Sequence, residues 1–419
     1  MLRLTVFLSL AALAVGSSEI DGVTLHDPTS TVAYARLRRV APESVGMSAS
    51  RLATIDEVVR RGIAAGGFPG AAVIVGRHGG IVWEQGYGTL DWQSKVTVDA
   101  ERTMYDLASL TKVVATTAAA MVLVDRGRLR LDERVAHYLP EFRGGGKEVV
   151  TIRDLLMHRS GLPAGADLAR RASGSESARK AVLATPLVNS TGTQEYSDVG
   201  LDVMGFVIER ITHESLDQFV EQTVYGPLGM RSTVFRPAAA LRTRVAPTSG
   251  RARGEVHDGD ARALGGVAGH AGLFSTAGDL AVFAQLMLDR GAAGSSRLFA
   301  DSIADIFTRP EPGWRALGWL TCPGDGSCGQ YLSSRAFGHT GFTGTSMWID
   351  PDRDLFVIVL TNSVYGRPGG GEAPVAIVHD VRSDVVDLAA MAIGDGGQYP
   401  TPPWRLRSEL QNGWWSGSK

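Results

Sequence analysis

The chain has 419 residues, 44% of them apolar, with 44 acidic against 42 basic side chains and a net charge of −2. That length and apolar content suffice to bury a large core, and no linker divides the chain into independent halves. The balanced charge and the lack of a basic cluster argue against a nucleic-acid partner. The sequence has no G-x-x-x-x-G-K-[ST] and no G-x-S-x-G elbow, and His213-Glu214 lacks the second histidine of H-E-x-x-H. Nucleotide, α/β-hydrolase and zinc readings therefore have no support, and neither cofactor nor metal is expected.

In chain order, Met1 to Val15 carries one early positive charge, Arg3, and then an apolar run from Leu4 that ends at Ala14-Val15-Gly16. This predicts a signal peptide over 1–16, cut near Gly16 or Ser17, and an exported protein, periplasmic or secreted. The run is short of the roughly 20 residues a spanning helix needs, and no cysteine follows the cut, so no stable membrane anchor is expected. The spacing of Leu52, Ile55, Val59 and Ile63 predicts a helix over Ser50 to Ala65. A hairpin follows, Ala71 to Val75 and Ile81 to Gln85, turned at Arg77-His78-Gly79.

Ser109-Leu110-Thr111-Lys112 then opens a run from Val113 to Val124 that is apolar nearly all round and stops at Asp125-Arg126-Gly127. Such a helix is buried. Residues i and i+3 share a helix face, which brings a serine hydroxyl to a lysine amine, a nucleophile beside a base. The chain has only five lysines, at 95, 112, 147, 180 and 419, so each can be weighed. Lys95 and Lys147 sit in polar, turn-like stretches. Ser177-Ala178-Arg179-Lys180 repeats the spacing within a polar Ser- and Arg-rich run and reads as a solvated face or loop.

Glu195-Tyr196-Ser197-Asp198 opens a second apolar helix through Leu201, Met204, Val207, Ile208 and Ile211, which places Tyr196 at a cleft rim. Thr276-Ala277-Gly278-Asp279 reads as a capping box before a helix from Ala277 to Arg290. Cys322 and Cys328, the only cysteines, flank a short turn-rich loop and are either free thiols or a disulfide worth roughly 2 kcal/mol at most. Phe337-Gly338-His339-Thr340-Gly341-Phe342 leads into a second hairpin, Ser346 to Asp350 and Leu355 to Thr361, turned through Pro351 to Asp354. A helix from about Ala373 to Ile393 follows. His78, His137, His257 and His379 read as surface or capping residues. The tail over 394–419, rich in Gly, Pro and Trp, has no assignment. The fold class is α/β: an antiparallel sheet flanked by helices and built from both chain ends, with an inserted mainly helical domain and a cleft between them.

Taken together, S-x-x-K at Ser109, the Tyr196-led triplet and the His339-Thr340-Gly341 strand resemble the serine β-lactamase and penicillin-binding protein superfamily. Within it they resemble the class C β-lactamase, DD-peptidase and carboxylesterase branch. Leu155-Leu156-Met157-His158-Arg159-Ser160-Gly161-Leu162 and Gly269-His270-Ala271-Gly272-Leu273-Phe274-Ser275-Thr276 are similar to two further segments of that branch. The resemblance spans about 45–393, with 45–108 and 292–393 as the α/β part and 109–291 as the mostly helical part. It implies a β-lactamase/transpeptidase-like fold in which Ser109 is the acylated nucleophile, Lys112 keeps it poised and Tyr196 relays the proton. It also implies an oxyanion hole from the backbone N–H groups of Ser109 and Phe342, with Asp198, His339, Thr340 and Gly341 binding substrate. Asp198 stands where the family usually has Asn, and His339 where class C β-lactamases have Lys. By the resemblance, His339 points away from cephalosporin hydrolysis and toward peptidase, amidase or esterase activity on cell-wall peptides or small esters, and Asp198 with Gly269-His270-Ala271-Gly272 points toward muramoyl peptides. A β-lactamase, and a penicillin-binding sensor with little turnover, remain the alternatives; the partner is a small-molecule or peptidoglycan-derived substrate, and the oligomeric state has no signature.

Overall fold

The computed structural model describes residues 37–313, 315–322, 327–366 and 375–394, all within one compact unit that begins at Val32. The expected signal peptide, the tail beyond Gly394, Ala373 and most of the loop between the cysteines lie outside the described residues. Seven strands make the main sheet: β1 (Arg38–Arg39), β2 (Gly70–Arg77), β3 (Gly80–Gly88), β4 (Leu320–Thr321), β5 (Phe337–Thr340), β6 (Ser346–Asp350) and β7 (Leu355–Thr361). Their spatial order is β1-β3-β2-β7-β6-β5-β4, so the two predicted hairpins meet at β2 and β7, the centre of the sheet. All pairs are antiparallel except β1 with β3, a short parallel edge that corrects the expectation of a purely antiparallel sheet.

The alternation of side chains along β2 and β7 makes two cores. Ala72, Ile74, Ile358 and Leu360 face one side, where α2 (Ala108–Asp125) and α5 (Ala277–Leu288) pack, while Val73, Val75, Val357 and Val359 face the other. There α1 (Ile55–Ala64) and α6 (Val375–Met391) lie together, joined through Ile55, Val59, Val381 and Val385. Central strands buried on both faces read as continuous apolar runs, which is why both hairpins stand out in the sequence. The first turns through His78 and Gly79, both with positive φ (50° and 75°), the geometry a two-residue hairpin requires.

Several boundaries differ from expectation. The helix over 50–65 is broken at Ala53-Thr54, where the Thr54 hydroxyl bonds the Arg51 carbonyl at 2.6 Å and competes with the helical ladder. In the Thr276 box the threonine hydroxyl accepts from Asp279 N, as expected, but the Asp279 carboxylate accepts from Ser232 N and the Thr233 hydroxyl. Ser177 and Lys180 lie on a helix (Ser175–Ala184) with Lys180 on its solvated side, paired with Glu176. Lys147 is not a solvent residue: it is 4% exposed, bonded to the Leu183 carbonyl, and lies over the Phe142 ring. A small sheet that the sequence did not announce joins Tyr105–Asp106 to Leu273–Ser275 and Val234–Phe235, and so ties the start of the mainly helical segment to its end.

Candidate active site

That small sheet delivers the chain to Ser109. Asp106, wholly buried at its end, accepts from Ala108 N at 2.9 Å and from His257 N at 2.7 Å. Burial pushes its carboxyl up to about 6, against the pull of those two backbone bonds. Ala108 is held at φ 45°, a left-handed conformation that costs a non-glycine residue about 1–2 kcal/mol. Behind this strained step Ser109 lies on a 3-10 turn (Ala108–Leu110) at the head of α2, followed by a wide π-helical turn (Lys112–Thr117) before the regular α-helix.

Lys112 is 0% exposed. Its ammonium donates to Ser109 Oγ at 2.8 Å and to the His270 carbonyl at 3.2 Å, and it forms an ion pair with Asp198 Oδ1 at 2.7 Å. Burial works to strip its proton, but Tyr196 and Asp198 outweigh burial and hold the pKa above the usual lysine value. Burial likewise opposes ionisation of Asp198, yet the neighbouring Lys112 and His270 charges bring its pKa below the ordinary carboxylate value. The pair is therefore ammonium and carboxylate, so Lys112 is poorly suited to act as the base.

Tyr196 immediately precedes Ser197, whose hydroxyl caps α3 (Asp198–Thr212) by accepting from Gly200 N at 3.0 Å. Its phenol oxygen lies 2.8 Å from Ser109 Oγ, and Lys112 Nζ stands 4.9 Å from the centre of its ring. His158 stacks on that ring at 4.7 Å and 25°, and the Arg315 guanidinium lies 5.4 Å from its centre. Burial, with the Arg315 and Lys112 charges, holds His158 neutral, well below the usual imidazole range. Its Nδ1 accepts from Ser197 N at 3.0 Å, so ring and backbone together fix the tyrosine. His158 was visible in the sequence only as part of a similar segment; its φ of 54° in a tight turn gives no hint of this contact.

The facing wall comes from β5 and the turn after it. His339 is 2% exposed and donates from Nδ1 to the Thr340 carbonyl at 2.7 Å, with its ring 6.4 Å from that of Tyr196. Thr340 is half-buried on the cleft wall. Gly341 permits close approach: a Cβ there would lie 2.2 Å from Thr345 Oγ1 and 2.4 Å from the Leu107 carbonyl. The hydroxyls of Thr343 and Thr345 bond the carbonyls of Asp106 and Leu107 at 2.7 and 3.0 Å. This turn is thereby stitched to the segment that presents Ser109. Phe342 at its tip is 71% exposed and stacks on His257 at 6.0 Å and 20°. His257, expected to be a surface or capping residue, thus belongs to the site.

Ser109, Tyr196, Asp198, His339, Thr340 and Phe342 converge on one cleft of about 550 Å³, within the range of small-molecule sites. Asp258, His270, Arg315 and Leu320 line it too. Asp258 and Arg315 carried no signal in the sequence, because each reaches the cleft through tertiary packing. Beyond Leu320, Cys322 and Cys328 are joined in a disulfide with Cα atoms 6.0 Å apart.

The chain is 34% identical over 401 residues to the N-acetylmuramyl-L-alanine amidase of Bacillus subtilis (strain 168), covering 82% of this chain and 89% of that protein. A Salmonella agona (strain SL483) protein that carries the name of a D-alanyl-D-alanine carboxypeptidase is also 34% identical, over 79% of this chain and 87% of its own length. Among solved structures, a penicillin-binding protein homologue from Caulobacter crescentus superposes with a TM-score of 0.67 at 20% identity, covering 83% of this chain and 99% of its own, which shows a shared fold. Residues 55–381, well over half the chain, match the Beta-lactamase family, and the chain belongs to that family as a serine hydrolase of the β-lactamase/transpeptidase fold.

Proposed function

We propose that this serine hydrolase cleaves an amide bond in a cell-wall muropeptide, between a muramoyl acyl group and the peptide amine, through an acyl-enzyme on Ser109. The observation that carries the chemistry is the convergence of Tyr196 Oη and Lys112 Nζ on Ser109 Oγ, each at 2.8 Å. Since Asp198 holds Lys112 as the ammonium, Tyr196 Oη is the group left to take the serine proton in the reaction, with that cation beside its ring. Tyr196 takes that proton as Oγ attacks the carbonyl carbon, and the resulting oxyanion lies against the backbone N–H groups of Ser109 and Phe342. Collapse breaks the C–N bond and Tyr196 passes its proton to the departing amine. Water then repeats the sequence, its proton going to Tyr196, and frees the acid and Ser109.

The substrate class is supported by the likeness to the Bacillus subtilis amidase. Asp198 and His339, in place of the Asn and Lys expected of a class C β-lactamase, agree with it. A D-alanyl-D-alanine carboxypeptidase is the second reading, favoured by Arg315, His339 and Thr340, which together suit a terminal carboxylate. The apolar leader and the disulfide support export. The deciding experiment incubates the enzyme with N-acetylmuramyl-L-alanyl peptide, a D-Ala-D-Ala pentapeptide, nitrocefin and p-nitrophenyl acetate. Release of peptide with a free L-Ala amine, at a kcat/KM well above that for the other three, is the expected result. Release of D-Ala alone would favour the carboxypeptidase, and hydrolysis of the ester alone would overturn both.

A further inference from the structure

His270 is 1% exposed, yet it touches two carboxylates: Nδ1 lies 2.7 Å from Asp202 Oδ1 and Nε2 lies 3.0 Å from Asp258 Oδ1. A neutral imidazole has one N–H and cannot donate to both, whereas a carboxylate only accepts, so the geometry calls for an imidazolium. Its two anchors belong to different elements. Asp202 is on α3, and Asp258 is the N-cap of α4 (Gly259–Ala263). The segment around His270 is built for close approach: a Cβ at Gly269 would meet the Leu201 carbonyl oxygen at 1.9 Å, and Gly272 has φ 112°. The carbonyls of this segment face α2, that of Gly269 accepting from the Thr116 hydroxyl at 2.6 Å and that of His270 from Lys112 Nζ at 3.2 Å.

We propose that His270 is a positioning residue for the acylation machinery: as an imidazolium bridging Asp202 and Asp258, it fixes the backbone carbonyl that holds Lys112. The charged groups that face it are Asp202 and Asp198 from α3, Asp258 from the head of α4 and Lys112 from α2. Asp202 and Asp198 raise its pKa well above the usual imidazole range in spite of burial, which agrees with the cation that the contacts require. Without His270, Asp202 would be a buried carboxylate that has lost its hydrogen-bonded cation and keeps only the Lys112 charge. It would then take up a proton more readily, since burial opposes its charged form. Asp202, which burial already raises against the pull of His270 and Lys112, would shift further upward beside the Lys112–Asp198 pair.

The inference rests on Ser109 and Lys112 as the reacting groups, which fluorophosphonate labelling of Ser109 tests separately. The test is the pH profile of p-nitrophenyl ester hydrolysis by His270→Asn, Asp202→Asn and the double variant. His270→Asn should lower kcat about 10–100-fold, less than the loss of a direct acid–base group, with KM nearly unchanged. Its profile should gain an inflection that the double variant lacks, and the double variant should recover part of kcat. A profile parallel to wild type with kcat within about twofold would overturn the proposal. Should His270→Asn fail to fold, 15N-histidine NMR of the wild-type protein decides. His270 protonated on both nitrogens from pH 5 to 9 supports the proposal, and a neutral ring in that range contradicts it.

Discussion

Lys112 Nζ and Asp198 Oδ1 form an ion pair at 2.7 Å, with the lysine wholly enclosed and the aspartate side chain 30% exposed toward the cleft. A buried ammonium survives only with such a partner. In Asp198→Asn burial is no longer offset and the lysine pKa should fall. If the ammonium is the working form, activity is lost as Lys112 deprotonates, so the alkaline limb of kcat/KM should move to lower pH. The acid limb should not rise, because the carboxylate whose protonation would weaken the pair is gone. An unchanged alkaline limb would make Asp198 an acceptor with no influence on the lysine.

Tyr196→Phe removes the only phenol oxygen at hydrogen-bond distance from Ser109 among the described contacts, while the ring stays stacked on His158. Turnover should fall by roughly 10²–10⁴-fold with little change in melting temperature. Full turnover would show that the proton travels another way.

His158→Ala should act through that tyrosine. The variant loses both the 4.7 Å stacking contact and the acceptor for Ser197 N. We expect kcat to drop about tenfold and Ser109 labelling to slow in parallel, because a mispositioned base affects acylation and turnover alike. His158 is neutral at assay pH, so the profile should keep its shape. A changed shape would mean that His158 itself carries a proton in the reaction.

Gly341→Ala probes the seam between the two halves of the site. Its Cβ would enter the space of Thr345 Oγ1 and the Leu107 carbonyl, at 2.2 and 2.4 Å, so the turn must move away from Ser109. Arg382 of α6 grips this turn from behind through the carbonyls of Gly341 and Thr345, at 3.3 and 3.0 Å, and resists that movement. Both kcat and melting temperature should fall. Phe342→Ala, which keeps the backbone N–H, should instead raise KM for large substrates and spare a small ester. Equal effects of the two substitutions on the ester would contradict the division between backbone and side chain.

The sequence made legible what depends on local periodicity. Ala71 to Val75 and Leu355 to Thr361 are continuous apolar runs because both faces of β2 and β7 are buried, and the i,i+3 spacing of Ser109 and Lys112 is closed by the helix itself. Tyr196 could be placed at a helix start because Ser197 is a good cap. What local pattern does not reveal depends on tertiary packing. His257 reaches the cleft because Asp106, 151 residues earlier, holds its backbone, and Lys147 is buried by groups that no local pattern reveals. His270 lies in a segment similar to one of the family's, but its partners Asp202 and Asp258 sit on separate elements, and no spacing rule joins them.

The most direct test of the account is intact-protein and peptide mass spectrometry after brief exposure to a muramoyl-L-alanyl peptide at a pH that slows deacylation. One covalent muramoyl adduct per chain is expected, located on the peptide that contains Ser109, absent in Ser109→Ala and formed far more slowly in Tyr196→Phe. An adduct on Ser177, or unimpaired turnover by Ser109→Ala, would contradict it.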